Sequence, residues 1–234
     1  MNDRKQPGRL LCVLGMHRSG TSCLTGSLQE AGLELGDFHS WNPHNRKGNR
    51  ENQKIVDLND AVLAANNAAW DRPVERVEWP IHLSLQAKDL IASYEAADVF
   101  CFKDPRTLLT LDGWIEAFPR LEFIGIFRDP RAVSQSLHNR SGMPKADGYA
   151  LWEAYNRRLF SYWERYQFPV LCFDDEQHVF LENLRGVLRH KRFVTELGSF
   201  DFYDPRMKAA VVEDSQDFPE SCDELYKNLR QIAC

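Results

Sequence analysis

Leu10-Leu11-Cys12-Val13-Leu14-Gly15-Met16-His17-Arg18-Ser19-Gly20-Thr21-Ser22-Cys23-Leu24 passes from an unbroken apolar run into a short polar loop. The run does not alternate, which predicts a strand over 9–15 buried on both faces. Gly15 and Gly20 let the backbone turn its N–H groups toward an anion. Thr21 and Ser22 then open a helix over 21–31 whose positive end faces the same point, and Gly32 closes it. The predicted unit is therefore a strand, a phosphate-cradling loop and a helix. The loop comes close to the nucleoside-triphosphatase pattern G-x-x-x-x-G-K-[ST], but Thr21 stands in the lysine slot.

Outward from this segment, further apolar runs predict strands over 99–103, 122–128 and 168–173. Helical spacing predicts helices over about 54–66, 83–96, 107–118, 130–140, 148–166, 177–190 and 221–232. The helix over 83–96 rests on Leu83, Ala87, Leu90, Ile91 and Tyr94. Short strands separated by helices predict a doubly wound, three-layer α/β fold of P-loop type, with a mostly parallel sheet flanked by helices. The aromatic helix 148–166 reads as core packing, not as a stacking platform.

The 234 residues are 43% hydrophobic and 12% aromatic, enough to bury one substantial core, so one domain over 9–234 is expected behind a disordered tail over 1–8. A net charge of −5 argues against a broad nucleic-acid or acidic-membrane surface. Any anion site must be local. No stretch has the length of a membrane span or the shape of a signal peptide. Cysteines at 12, 23, 101, 172, 222 and 234 lack C-x-x-C spacing and read as reduced thiols, which suggests a cytoplasmic compartment. The expected state is a monomer or weak dimer.

Two later strands end alike, in Lys103-Asp104-Pro105-Arg106 and Arg128-Asp129-Pro130-Arg131. Each has a cation at the strand end, an aspartate suited to capping the next helix and a proline suited to its first turn. In a parallel sheet these ends lie beside the loop, where open α/β sheets bind ligands. Arg18, Lys103 and Arg128 are thus expected to converge on one polyanion. The alternative is that these junctions only cap helices, with the cations paired to nearby carboxylates.

This pattern resembles the sulfotransferase family that uses 3′-phosphoadenosine 5′-phosphosulfate (PAPS), in particular its bacterial and carbohydrate-type branch. The family's 5′-phosphosulfate loop, roughly [KR]-S-G-T-[ST], is matched by Arg18-Ser19-Gly20-Thr21-Ser22. Its 3′-phosphate motif, a strand ending in Arg, then [DN]-P and a serine eight residues after the arginine, is matched by Arg128-Asp129-Pro130 and Ser136. The resemblance covers about residues 9–140, and the strand at 168–173 is compatible with it. Beyond about 175 the match is thin. The family's Tyr-Glu-Asp-like segment reads Phe173-Asp174-Asp175-Glu176, and its glycine-rich C-terminal segment is not evident. Arg189, Lys191 and Arg192 are possible substitutes there, the alternative being a solvated helix end.

The resemblance implies metal-independent, in-line transfer of a sulfuryl group from PAPS to a hydroxyl or amine of a saccharide or small molecule. Arg18 would bridge the 5′-phosphate and the moving sulfuryl group. Ser19, Gly20, Thr21, Ser22 and the His17 backbone would hold the 5′-phosphate, and Arg128 and Ser136 the 3′-phosphate. Glu51 is the candidate base, from the position that carbohydrate-type relatives use. Its alternative is a carboxylate that only complements a helix dipole. His39 and His44 are rival bases. Lys103 contacts the sulfuryl group or the acceptor, or pairs structurally. The irregular stretch 36–53, with Trp41, Arg46, Lys47 and Arg50, suits a substrate loop. Two other readings are a degenerate P-loop kinase and a nucleotide-binding module without transfer activity.

Overall fold

Apolar runs with no polar face can be buried only between two layers, and here they form four parallel strands. These are β1 (Arg9–Leu14), β2 (Val99–Lys103), β3 (Glu122–Phe127) and β4 (Val170–Cys172), in the order β2-β1-β3-β4. The computed structural model describes residues 6–38, 48–194, 200–204 and 218–234. Val13 pairs with Lys103 and Leu14 with Gly125. The segments that follow the first three strands therefore leave from one edge of the sheet.

The strand side chains sort into two cores. Leu10, Cys12 and Leu14 join Phe100, Phe102, Phe123 and Phe127 on one face, while Leu11 and Val13 join Cys101, Ile124 and Ile126 on the other. The first core is closed by α2 (Gln53–Ala65), α3 (Ile81–Ala92), α4 (Thr107–Ala117), α5 (Pro130–Ser141), α6 (Lys145–Tyr166) and α8 (Glu220–Ile232). The second is closed by α1 (Thr21–Glu30) and α7 (Gln177–His190). The expected three layers are present.

Boundaries differ from expectation where local chemistry intervenes. Pro80 precedes α3, which starts at Ile81 and stops at Ala92. Tyr94, read as part of that helix, lies in the following turn, stacked on Phe100 at 4.2 Å and bonded by Asn52 Nδ2 at 2.7 Å. Helix α6 starts at Lys145, behind Pro144, earlier than expected. Strand β4 has three residues, at the sheet edge. At the chain start, Pro7 is buried and the Gly8 N–H donates to the Ala97 carbonyl, two residues ahead of β2, at 3.0 Å.

Both sheet edges are met by other backbone. Glu34 bridges to Phe100, donating to the Val99 carbonyl at 3.2 Å and accepting from the Cys101 N–H at 2.8 Å. The Cys234 N–H donates to the Val170 carbonyl at 2.9 Å. All six cysteines are free thiols, with Cys12, Cys101, Cys172 and Cys222 buried, Cys23 half-buried and Cys234 exposed. Among the described residues no helix is long and apolar enough to cross a membrane.

Candidate active site

The loop between β1 and α1 presents backbone to the sheet edge. Arg18 and Gly20 are left-handed, with φ of 68° and 86°, and a Cβ on Gly20 would lie 2.4 Å from the Phe173 ring. Helix α1 starts with no side-chain cap and no acidic residue in its first turn. Its first N–H groups and the positive end of its dipole are thus available to an anion. The Ser19 hydroxyl is buried with no hydrogen-bond partner among the described residues. A buried orphan of this kind is costly, and a phosphate or sulfate oxygen would complete it.

Beside the loop lies a cleft of about 100 Å³ lined by His17, Arg18, Thr21, Ser22, Asn49, Glu51, Lys103 and Arg140, among others. Lys103 is 1% exposed, and Glu51, just ahead of α2, is 15% exposed. The Lys103 ammonium donates to Glu51 Oε1 at 2.7 Å and to Ser22 Oγ at 3.3 Å. Asn49 Nδ2 donates to Glu51 Oε2 at 2.7 Å, while Asn49 Oδ1 is buried without a partner among the described residues. Both oxygens of the carboxylate are therefore oriented, and each keeps lone-pair capacity toward the cleft. Ser22 Oγ donates to the Asn49 carbonyl at 3.2 Å, tying the loop to the segment that carries Glu51.

The loop and α5 meet directly, because Arg18 Nε donates to Ser136 Oγ at 2.8 Å. Burial and the nearby Arg140 and Arg128 cations lower the Arg18 pKa. Cations packed closely enough to repel one another favour an anion between them. Arg128 is buried behind Arg18, reaching its carbonyl with NH1 at 3.5 Å and lying 5.4 Å over the Phe173 ring. Its Nε is 3.6 Å from Asp174 Oδ1. Asp129 caps α5 through the Arg131 N–H at 2.8 Å, with Pro130 in the first turn, as its sequence predicts.

Asp104 behaves differently. It lies outside α4, which starts at Thr107, and holds the Arg106 N–H at 3.2 Å and the Arg106 guanidinium at 3.0 Å. Burial pushes its carboxyl up to about 6, opposed by Arg106 and reinforced by Glu51. Asn59 completes this network. Its Nδ2 donates to Asp104 at 2.8 Å and Thr107 at 3.0 Å, and its Oδ1 accepts from Thr110 at 2.8 Å and Trp114 Nε1 at 2.9 Å. His17 packs on Trp70 with ring centroids 4.8 Å apart, and its Nε2 is buried without a partner among the described residues. Burial, then the surrounding Arg106, Lys103, Arg140 and Arg18, hold this imidazole well below its ordinary pKa.

His17, Arg18, Thr21, Ser22, Glu51 and Lys103 thus share one cleft, with Ser136 touching it through Arg18. Ser19, Gly20 and Arg128 are not among its lining residues. Three placements bear on the sequence reading. Arg50 turns away from Glu51, donating to Gln29 at 2.9 Å and lying over the Phe38 and Phe202 rings, so the cation on Glu51 is Lys103. The carbonyls of Lys191 and Arg192 accept from Arg9, at the start of β1 and thus at the opposite end of the strands from the loop. Each strand-end cation also has a carboxylate partner, Glu51 for Lys103 and Asp174 for Arg128. His39, Trp41, His44, Arg46 and Lys47 lie outside the described residues.

Sequence reasoning missed Asn49, Arg140 and Asp174. Arg140 had a signal, since it follows Ser136 by four residues on one helix and so shares its face. Asn49 had the signal of lying two residues before Glu51, its partner, and Asp174 that of the acidic segment after β4, but the pairing of Asp174 with Arg128 is set by the fold.

The model of the "Sulfotransferase family" matches residues 11–181. Among solved structures, the sulfotransferase domain of the Synechococcus PCC 7002 olefin synthase is 17% identical, covers 97% of this chain and 96% of its own, and superposes with a TM-score of 0.57. Sulfotransferase STF9 from Mycobacterium avium is 15% identical over 97% of this chain and 75% of its own, with a TM-score of 0.52. STF1 from Mycobacterium tuberculosis H37Rv is 16% identical over 96% and 77%, with a TM-score of 0.50. No curated protein matches the sequence. At these identities the solved structures bear on the fold alone. With its family model spanning the loop, most of β1, the other three strands and the start of α7, the chain belongs to the sulfotransferase family.

Proposed function

We propose that this sulfotransferase uses PAPS as donor and transfers its sulfuryl group to a hydroxyl of a saccharide or small-molecule acceptor. The observation that carries the reading is the 2.8 Å hydrogen bond from Arg18 to Ser136. It joins the loop suited to a 5′-phosphosulfate to the helix suited to a 3′-phosphate, so one wall can hold both ends of one nucleotide. When bound, the donor supplies a sulfuryl group on an already acidic phosphate, and adenosine 3′,5′-bisphosphate departs as the acceptor oxygen bonds to sulfur.

The chain's own residues supply position and charge. The α1 N-terminus, the Ser19 hydroxyl and Arg18 hold the 5′ end, and Arg18, always protonated, offsets charge developing on the leaving phosphate. Glu51 takes the acceptor proton on an oxygen oriented by Lys103 or Asn49. Lys103, between Glu51 and Ser22, links the base to the loop. Arg128 and Ser136 hold the 3′-phosphate.

Calorimetric titration with adenosine 3′,5′-bisphosphate, adenosine 5′-phosphate and ATP, each with and without Mg²⁺, tests this. Metal-independent preference for the bisphosphate is the expected outcome. Preference for ATP with Mg²⁺ would replace the reading with a kinase. Bisphosphate binding with no turnover on any acceptor tried would leave a nucleotide-binding module.

A further inference from the structure

Asp174 lies in the acidic segment that follows β4, outside the loop and 3′-phosphate motifs, yet it meets two other segments at one carboxylate. Its Oδ1 is 3.6 Å from Arg128 Nε. Its Oδ2 accepts from the Asp129 N–H at 2.6 Å and from the Tyr226 hydroxyl at 3.2 Å. Arg128 and Asp129 follow directly on β3, between it and α5, whereas Tyr226 comes from α8, nearly a hundred residues further along the chain. The Tyr226 ring is itself fixed, edge-on to Phe127 with centroids 5.7 Å apart and 6.5 Å from Trp152. Trp152 Nε1 in turn donates to the Arg128 carbonyl at 2.9 Å. Helix α8 therefore braces both the backbone and the side chain of Arg128.

Phe173 beneath the buried guanidinium and the Asp174 carboxylate beside it limit the orientations open to it. The hydroxyl that fixes the carboxylate decides which of them is kept, because bidentate recognition of phosphate depends on the plane of the guanidinium. We propose that Tyr226 is a positioning residue of the donor site: it holds Asp174, and Asp174 sets the Arg128 guanidinium for the 3′-phosphate. The inference rests on the reading of Arg128 as the 3′-phosphate ligand. It adds the C-terminal helix to a site whose recognisable motifs lie within residues 18–136.

The test compares dissociation constants for adenosine 3′,5′-bisphosphate and adenosine 5′-phosphate on the full chain, with the ratio of the two as readout. That ratio does not depend on the fraction of protein folded. Tyr226→Phe keeps the ring contacts and removes only the hydroxyl. It is expected to weaken the bisphosphate three- to tenfold and to leave the monophosphate within twofold. In an Arg128→Ala background the same change is expected to have no further effect. Arg230→Ala removes the ion pair from α8 to the neighbouring Asp175 and is expected to leave the ratio unchanged.

An unchanged ratio in Tyr226→Phe overturns the inference, as does an equal loss for both ligands or a loss that persists without Arg128. The same loss in Arg230→Ala would reduce the role to helix docking and overturn it too. A wild-type protein with no preference for the bisphosphate would overturn the donor reading and this inference with it, whereas a wild-type preference kept intact by Tyr226→Phe overturns this inference alone.

Discussion

Lys103 is a cation with almost no contact with water, held by Glu51 and Ser22. Removing one partner of a buried pair strands the other charge, so Lys103→Met is expected to cost roughly 3 kcal/mol of unfolding free energy, read by denaturant titration. Glu51→Gln keeps the shape and an oxygen for Lys103 but removes the proton acceptor. Turnover is expected to fall by about 10²- to 10⁴-fold with bisphosphate affinity within a few-fold of wild type. Unchanged turnover would pass the base role to a histidine of the 36–53 stretch. Arg128→Ala is expected to weaken adenosine 3′,5′-bisphosphate by roughly 1.5–3 kcal/mol, about ten- to a hundredfold, because a hydrogen bond to a charged group is lost. Equal weakening of adenosine 5′-phosphate would remove Arg128 from the 3′ site.

The phosphate loop works as an element because its backbone, not its side chains, faces the anion. Gly20→Ala meets two obstacles, a left-handed φ of 86° and the Phe173 ring at 2.4 Å. It is expected to weaken mono- and bisphosphate alike, since both share the 5′ end, in contrast to the selective loss in Arg128→Ala. The elements of this edge were the most legible part of the sequence. Strands apolar on both faces have no alternative to a covered parallel sheet, and Asp129-Pro130 states its helix cap in two residues. Tyr94 fits helical spacing past the end of α3, yet it packs on Phe100 from the turn that follows the helix. The two Asp-Pro-Arg junctions look identical in sequence, yet Asn59 draws Asp104 into a buried network while Asp129 stays a cap. Only the fold distinguishes them, as it alone brings Asn59 to Asp104 and Asp174 to Arg128.

For the molecule as a whole, Asp104 ties stability to pH. Its pKa of about 6 when folded exceeds the ordinary value of about 3.9, so the native state holds more protons than the unfolded state between those limits. Stability from this group is therefore greatest below about pH 4 and falls as pH rises toward 6. About two pKa units at 1.36 kcal/mol each give a difference on the order of 3 kcal/mol. Subtracting the Asp104→Asn unfolding free energy from that of wild type at each pH is expected to show this decline. A flat difference would mean that Arg106 fully compensates the buried charge.

The backbone of Glu34 on the outer side of β2, and that of Cys234 on β4, lead to a different property of the whole chain. A four-stranded sheet open at both sides would be a template for a fifth strand from another molecule. Here each border already spends hydrogen-bonding groups on its own chain, and the β4 border is only three residues long. Two copies meeting in a crowded solution find little ladder to extend, so this sheet resists growth into fibrils while its opposite resource, the strand-end edge, stays open to small molecules.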